Sequence, residues 1–173
     1  PVGPVRIIGG SLKGRRFSPP RHFKGRPTTD FGREGLFNLL RSRLELDGLE
    51  ALDLFAGSGA VSYELASRGA VSVTAIEQDS GACRYIQKQA QDFGLDAIRV
   101  VRADVFAFLG GAMTQYELVF ADPPYTDPRL ETLPDLVREA GLVAKGGLFI
   151  LEHGDRRDFS AAEGFVEMRK YGH

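Results

Sequence analysis

From residue 51 onward the apolar residues of this chain come in two kinds of block that alternate. One kind is short, nearly continuous and bounded by acids or glycine: residues 51–55, 71–76, 98–101, 118–121 and 147–152. Runs of this type are buried strands. The other kind carries apolar residues three and four apart: 60–68 before Gly69, 80–93 before Gly94, 105–109, and 130–140. That spacing predicts helices with one apolar face, stopped by glycine. Alternating strands and helices of these lengths build a doubly wound, mainly parallel α/β sheet covered on both faces. Residues 165–171 are a candidate sixth strand.

The first 45 residues read differently. Arg6-Ile7-Ile8, then Gly9-Gly10, then Gly14 and Arg15-Arg16-Phe17 predict a short hairpin, which Pro19-Pro20 ends. A loop to Pro27 follows, and Thr28, Thr29 and Asp30 are candidate N-caps for a helix. Leu36, Phe37, Leu39, Leu40 and Leu44 form the stripe of that helix facing the main domain, with Arg33, Arg41 and Arg43 on the opposite side. The expected organisation is a basic hairpin and helix over residues 1–45 and an α/β domain over 46–173.

Charge sharpens that division. The net charge of −1 splits into +8 over residues 1–43 and −9 over the rest. A basic arm on an acidic body fits a polyanionic partner, with Arg6, Lys13, Arg15, Arg16, Arg21, Lys24 and Arg26 as the candidate contacts. The competing reading is a solvated tail whose charge serves solubility. The rest of the composition only bounds the answer. With 173 residues, 43% hydrophobic and 26% charged, one soluble globular unit is expected, with no segment of membrane-spanning length. Cys83 is the single cysteine, which fits a reducing, cytoplasmic setting and core filling. His22, His153 and His173 are scattered, so no metal site is expected.

Two motifs carry chemistry. The first is Asp53-Leu54-Phe55-Ala56-Gly57-Ser58-Gly59, a strand running into a glycine turn and a helix start. Gly57 and Gly59 let backbone approach a ligand, and the helix start offers N–H groups to a carboxylate or phosphate. Glu77 ends the next strand 20 residues after Gly57, where an acid can hold the hydroxyls of a ribose. Asp104, followed by Val105, ends the third strand and could accept from an adenine amino group. A dinucleotide site would want glycine at 62, where Ser62 stands, and the lysine of a P-loop is absent. The pattern points to an adenosine cofactor without a pyrophosphate, S-adenosylmethionine (SAM). Taken alone, Glu77 or Asp104 reads as a solvated loop acid; with the glycine turn, at successive strand ends, they read as a site.

The second motif is Asp122-Pro123-Pro124-Tyr125, after the apolar run 118–121. Two prolines cannot continue a strand and stiffen the turn. At the C-terminal end of a parallel strand such a turn offers a carboxylate, carbonyls and a flat ring, a set that suits the exocyclic amine of a planar base. The plainer reading is a turn whose aspartate caps local N–H groups.

With Arg6-Ile7-Ile8-Gly9-Gly10 and Arg26-Pro27-Thr28-Thr29-Asp30 ahead of them, the two motifs resemble, in this order, the RsmD family. Its members are bacterial SAM-dependent methyltransferases of guanine N2 in 16S ribosomal RNA. The resemblance spans nearly the whole chain and implies a class I methyltransferase fold with seven strands, the last forming an antiparallel hairpin. It implies that Gly57, Ser58 and Gly59, with Asp53, Phe55 and Ala56, line the cofactor. Glu77 would hold the ribose, Asp104 and Val105 the adenine, and Thr28 and Thr29 would close over the methionine end. Asp122, Pro123 and Tyr125 would hold the target base. The substrate implied is the assembled small subunit. Apart from the resemblance, a monomer is expected. One more strand is expected after Tyr171-Gly172-His173, between the fifth and sixth, so the sequence reads as truncated there.

Other readings stay open on the residues alone. A DNA adenine-N6 or cytosine-N4 amino methyltransferase shares the cofactor and the proline turn, although no target-recognition domain is visible. A non-catalytic RNA-binding assembly factor could keep the fold. A nicotinamide dehydrogenase is disfavoured by Ser62 and by the lack of a hydride-handling His or Tyr set. Guanine rather than adenine rests on the resemblance.

Overall fold

Ala51, Leu52 and Leu54 have no exposed surface, because their strand, β3 (Glu50–Leu54), is the centre of a five-stranded parallel sheet. The computed structural model describes residues 4–20, 30–112, 114–154 and 156–169, with Asp30 and Phe31 described as backbone only. In chain order the remaining elements are the hairpin β1 (Val5–Arg6) and β2 (Arg16–Phe17), α1 (Asp30–Arg43), α2 (Ala60–Ser67), β4 (Ser72–Glu77), α3 (Ser80–Asp92), β5 (Ile98–Arg102), α4 (Val105–Gly111), β6 (Tyr116–Ala121), α5 (Leu133–Glu139) and β7 (Val143–Leu151). A 3-10 turn, Pro128–Thr132, precedes α5.

The sheet order is β5-β4-β3-β6-β7. The chain winds outward from β3 through β4 to β5, then returns to the other side of β3 for β6 and β7. The reversal opens a crevice between β3 and β6 at their C-terminal ends, where open α/β sheets bind ligands. Leu54 pairs with Ala121 there, so the glycine turn and the proline turn leave the sheet side by side.

The helices cover the two faces. On one, Leu54, Ile76, Val105, Leu109, Val119, Leu130, Leu133 and Val137 pack together beneath α4 and α5. On the other, Phe37 and Leu40 of α1 pack with Ala51, Val61, Leu65, Val73, Leu118 and Phe120. The predicted stripe of α1 thus faces the sheet. The hairpin adds Val5, Ile7 and Phe17 to a third cluster with Ala56, Ala60, Tyr63, Ile86 and Phe93. It is seated against the start of α2, with Phe17 edge-on to Tyr63 at 4.9 Å.

Four expectations need correction. Arg33 is not on a solvent face: it is completely buried, and its Nη1 donates to the Arg6 carbonyl at 2.8 Å and to Glu64 Oε1 at 3.4 Å. β7 begins at Val143, not at Gly147. The pairing jumps from Tyr116↔Val143 to Leu118↔Leu148, so the intervening residues bulge out of register, with Gly146 at φ +81°. Residues 165–169 are not a strand, and Lys170 and Tyr171 lie outside the described residues. Among the described residues no strand lies beyond β7, so the alternation of Phe165, Val166 and Met168 has no ladder to join and these side chains are exposed. The sheet therefore has five strands, not the seven the resemblance implies, over the described residues. No described helix is long and apolar enough to cross a membrane.

Candidate active site

Each sequence-predicted site residue that is described beyond the hairpin lies at the C-terminal end of one of four adjacent strands. β3 runs into Phe55-Ala56-Gly57-Ser58-Gly59, which turns sharply into α2. Phe55 takes φ +59°, Gly57 φ +58° and Gly59 φ +86°. A left-handed phenylalanine stores of order 1–3 kcal/mol of strain and persists only where the surroundings enforce it. Ala56 N–H is bonded to the Ile76 carbonyl at 2.9 Å, and Gly59 N–H to the Ala56 carbonyl at 2.8 Å. Gly59 is required for packing as well as for φ, since a Cβ there would stand 2.6 Å from the Tyr63 ring.

Below the turn, Asp53 is buried and accepts a 2.6 Å bond from the Ser62 hydroxyl, which ties β3 to the first turn of α2. Ser62, which breaks the dinucleotide pattern, is thus the partner of the motif's own acid. Burial pushes the Asp53 carboxyl up to about 7, a rise limited by the Ser62 bond and added to by the Glu77 charge.

Glu77, at the end of β4, is fixed by two backbone donors. Gly57 N–H reaches Oε1 at 2.9 Å and Asp79 N–H reaches Oε2 at 2.8 Å. The acid of the second strand is therefore bonded to the glycine turn of the first. Each carboxylate oxygen has a further lone pair for an outside donor. Asp104, after β5, caps α4 through Ala107 N–H at 3.1 Å. Val105 turns its side chain into the core, leaving its backbone for any ligand contact.

The proline turn leaves β6 beside these groups. Asp122 is half-buried, Pro123 buried, Pro124 and Tyr125 exposed. The turn closes with Asp127 N–H on the Pro124 carbonyl at 3.1 Å, and Glu152 N–H on the Ala121 carbonyl at 2.9 Å ties in the end of β7. Gly154 lies against the Tyr125 ring: a Cβ there would be 3.4 Å from it. The ring is backed by main chain, and its outer part is open to solvent.

The hairpin carries Arg6, Lys13, Arg15 and Arg16, all exposed, and packs where Ala56 and Ala60 flank the glycine turn. Arg21, Lys24, Arg26, Thr28 and Thr29 lie outside the described residues.

Sequence reasoning missed the group that seats this hairpin. Glu64, completely buried in α2, accepts from Ile8 N–H at 2.9 Å, Gly9 N–H at 2.9 Å, Arg68 Nε at 2.8 Å and Arg33 Nη1 at 3.4 Å. Ser67 adds bonds to the Gly9 carbonyl and from Leu12 N–H. A Cβ at Gly10 would stand 2.0 Å from the Ser67 carbonyl oxygen, which explains the glycine pair. The signal was present in α2, whose residues are buried nearly all round, so its one acid needed internal partners. Arg129, which reaches Asp104, was missed as well.

Comparison with known proteins agrees with this fold. The family model described as conserved hypothetical protein 95 matches residues 5–173. The chain is 37% identical over 150 residues to ribosomal RNA small subunit methyltransferase D of Escherichia coli K12, covering 87% of this chain and 75% of that protein. It is 33% identical over 155 residues to the Haemophilus influenzae protein of the same name, covering 87% and 79%. The solved structure of a hypothetical protein from Thermus thermophilus superposes with a TM-score of 0.84 at 35% identity, over 96% of this chain and 94% of that one. The Rossmann-like sheet is the class I fold of SAM-dependent methyltransferases, and SAM is its cofactor. By its matching model and these relatives, the chain belongs to the RsmD family.

Proposed function

We propose that this protein transfers a methyl group from SAM to the exocyclic N2 amine of a guanine in 16S ribosomal RNA, on the assembled small subunit in the cytoplasm. The observation that carries the reading is the Leu54–Ala121 pairing. It brings the glycine turn and the Asp122-Pro123-Pro124-Tyr125 turn to one crevice.

The residues present fit the cofactor. Glu77 is held rigid by Gly57 and Asp79 and keeps acceptor capacity on both oxygens, which suits the paired hydroxyls of a ribose. Asp104 would accept from the adenine amine. When bound, SAM supplies an electrophilic methyl group on a sulfonium. The protein's share is then positioning and electrostatics. Asp122 carboxylate and the Pro123 carbonyl accept the two N–H bonds of the guanine amine. Its lone pair, otherwise delocalised into the ring, is thereby turned toward the β3 side of the crevice. The Asp122 carboxylate is also placed to take the proton that the nitrogen sheds. Tyr125, backed by Gly154, stacks on the base, a contact worth about 1–3 kcal/mol in nucleic-acid sites. The guanine must leave its stack to enter, as for other enzymes that act on a base. Arg6, Lys13, Arg15 and Arg16, with Arg21, Lys24 and Arg26, hold the RNA backbone, and the protein acts as a monomer.

The test is transfer of labelled methyl from SAM to unmodified small subunits, naked 16S RNA and duplex DNA, with digestion to nucleosides. N2-methylguanosine from subunits is the expected product. Label in a DNA base overturns the substrate. No transfer with SAM still bound leaves an assembly factor.

A further inference from the structure

One side chain, Arg129, occupies two groups that an adenine base would use. Its Cζ lies 4.0 Å from the centroid of the Phe106 ring, and its Nη2 is 3.4 Å from Asp104 Oδ1. Phe106 meets Phe55 at 6.2 Å and 65°, and leans on the core around Val105 and Leu109. The face under Arg129 is therefore its accessible one. Arg129 also grips Asp127: Nε to Oδ1 at 3.2 Å, Nη2 to Oδ2 at 3.1 Å, and its own N–H to Oδ1 at 2.9 Å. These bonds hold the Asp127 carboxyl below its ordinary range. Asp127 is in turn bonded to the Pro124 carbonyl, within the turn assigned to the target base.

A guanidinium is planar, stacks on aromatic faces and directs N–H donors in its own plane. Adenine with its amino group presents the same features. A planar group stacked on the ring needs about 3.5–4 Å, so nothing fits between Phe106 and Arg129. We infer that Arg129 is a specificity-determining residue of the adenosine subsite: adenine and the guanidinium exclude each other from the Phe106 face and compete for Asp104, and the displaced arginine stays tethered to Asp127 beside the proline turn. A ligand that stacks and bonds as well as the guanidinium gains entry, and one that does neither leaves Arg129 in place. The inference rests on the reading of Asp104 as the adenine acceptor.

The test is titration calorimetry of the full chain with two ligands: S-adenosylhomocysteine, and S-ribosylhomocysteine, which lacks the base. Arg129 is about half exposed, so its removal leaves the core intact. Arg129→Ala is expected to bind S-adenosylhomocysteine about three- to tenfold tighter, the scale of an exposed cation–π contact with an exposed ion pair. Its affinity for S-ribosylhomocysteine should not change. Arg129→Lys, which keeps the charge but not the plane, should fall between wild type and Ala. Weaker or unchanged binding of S-adenosylhomocysteine by Arg129→Ala overturns the inference, and so does an equal change for both ligands. Asp104→Ala separates the two readings. If it weakens S-adenosylhomocysteine while Arg129→Ala does not tighten it, only the role of Arg129 fails. If it leaves that affinity untouched, the adenine assignment fails and the inference with it.

Discussion

Arg33 and Glu64 form an ion pair, Nη1 to Oε1 at 3.4 Å, between two side chains with no solvent exposure. It joins the first turns of α1 to the middle of α2, and through the Arg6 carbonyl and the Ile8 and Gly9 N–H groups it joins both to the basic hairpin. Removing Glu64 takes a buried acceptor from four donors, two of them arginines, which costs about 3–5 kcal/mol. Glu64→Ala is expected to lose that much in urea unfolding. Glu64→Gln keeps an acceptor for one of the two hairpin N–H groups and should lose less. In the Ala variant, amide exchange at residues 5–17 should accelerate ahead of the central strands. A uniform acceleration across the sheet would show that the pair stabilises the fold without seating the hairpin.

Asp122 separates turnover from cofactor affinity. It follows β6, whereas Glu77 ends β4 and is bonded to the glycine turn, and the proposed function gives Asp122 the target amine. Asp122→Ala should lower kcat by about 10²-fold or more, the scale seen when a preorganised polar group at a reacting centre is removed. Binding of S-adenosylhomocysteine should stay within twofold. Loss of cofactor affinity equal to the loss of turnover would place Asp122 in the cofactor site and leave the amine without its acceptor.

Arg15 and Arg16 test the arm. Both are exposed, and Arg15 rests its guanidinium 5.1 Å from the Phe93 ring, on the flank of the cluster that seats the hairpin. Reversal of both to Glu should weaken binding of small subunits and flatten the slope of log affinity against log salt by about one for each phosphate that is no longer neutralised. Affinity for S-adenosylhomocysteine should be unaffected. An unchanged salt slope would return the arm to a role in solubility.

Most strands of the α/β domain were legible as short, nearly continuous apolar runs, and its helices as longer blocks, two of them closed by Gly69 and Gly94. Both chemical motifs were legible because glycine and proline mark where strands end. What escaped was long-range. Nothing local pairs Arg33 with Glu64 across 31 positions, and an arginine on the polar side of a helical stripe looks solvated. The start of β7 was hidden because Lys145 and Gly146 interrupt the apolar run ahead of Gly147, where the chain bulges: a Cβ on Gly147 would meet the Glu117 carbonyl oxygen at 2.6 Å. Gly59 was read as room for a ligand, whereas its missing Cβ faces Tyr63. Arg129 gave no signal, because an arginine directly after Asp127-Pro128 looks like the solvated start of a helix.

Asp53 makes the fold sensitive to pH in a direction opposite to that of most carboxylates. Its carboxyl is raised from the ordinary 3.8 to about 7, first by burial and then by the Glu77 charge, against the Ser62 bond. Between those two values the unfolded chain has released this proton and the folded chain still holds it. The folded state then binds more protons than the unfolded one, so stability falls as pH rises. The contribution is fully present below 3.8, declines through the interval, and is gone above about 7. At 1.36 kcal/mol per pH unit the interval amounts to about 4 kcal/mol at most. Asp53→Asn removes the titration and keeps an acceptor for the Ser62 hydroxyl. Urea unfolding at pH 5 and pH 8 should show the variant gaining on the wild type as pH rises, with the wild type carrying the steeper decline. Parallel pH profiles for the two proteins would mean that the Asp53 carboxyl is ionised beneath the glycine turn throughout, and that Ser62 suffices to hold its charge.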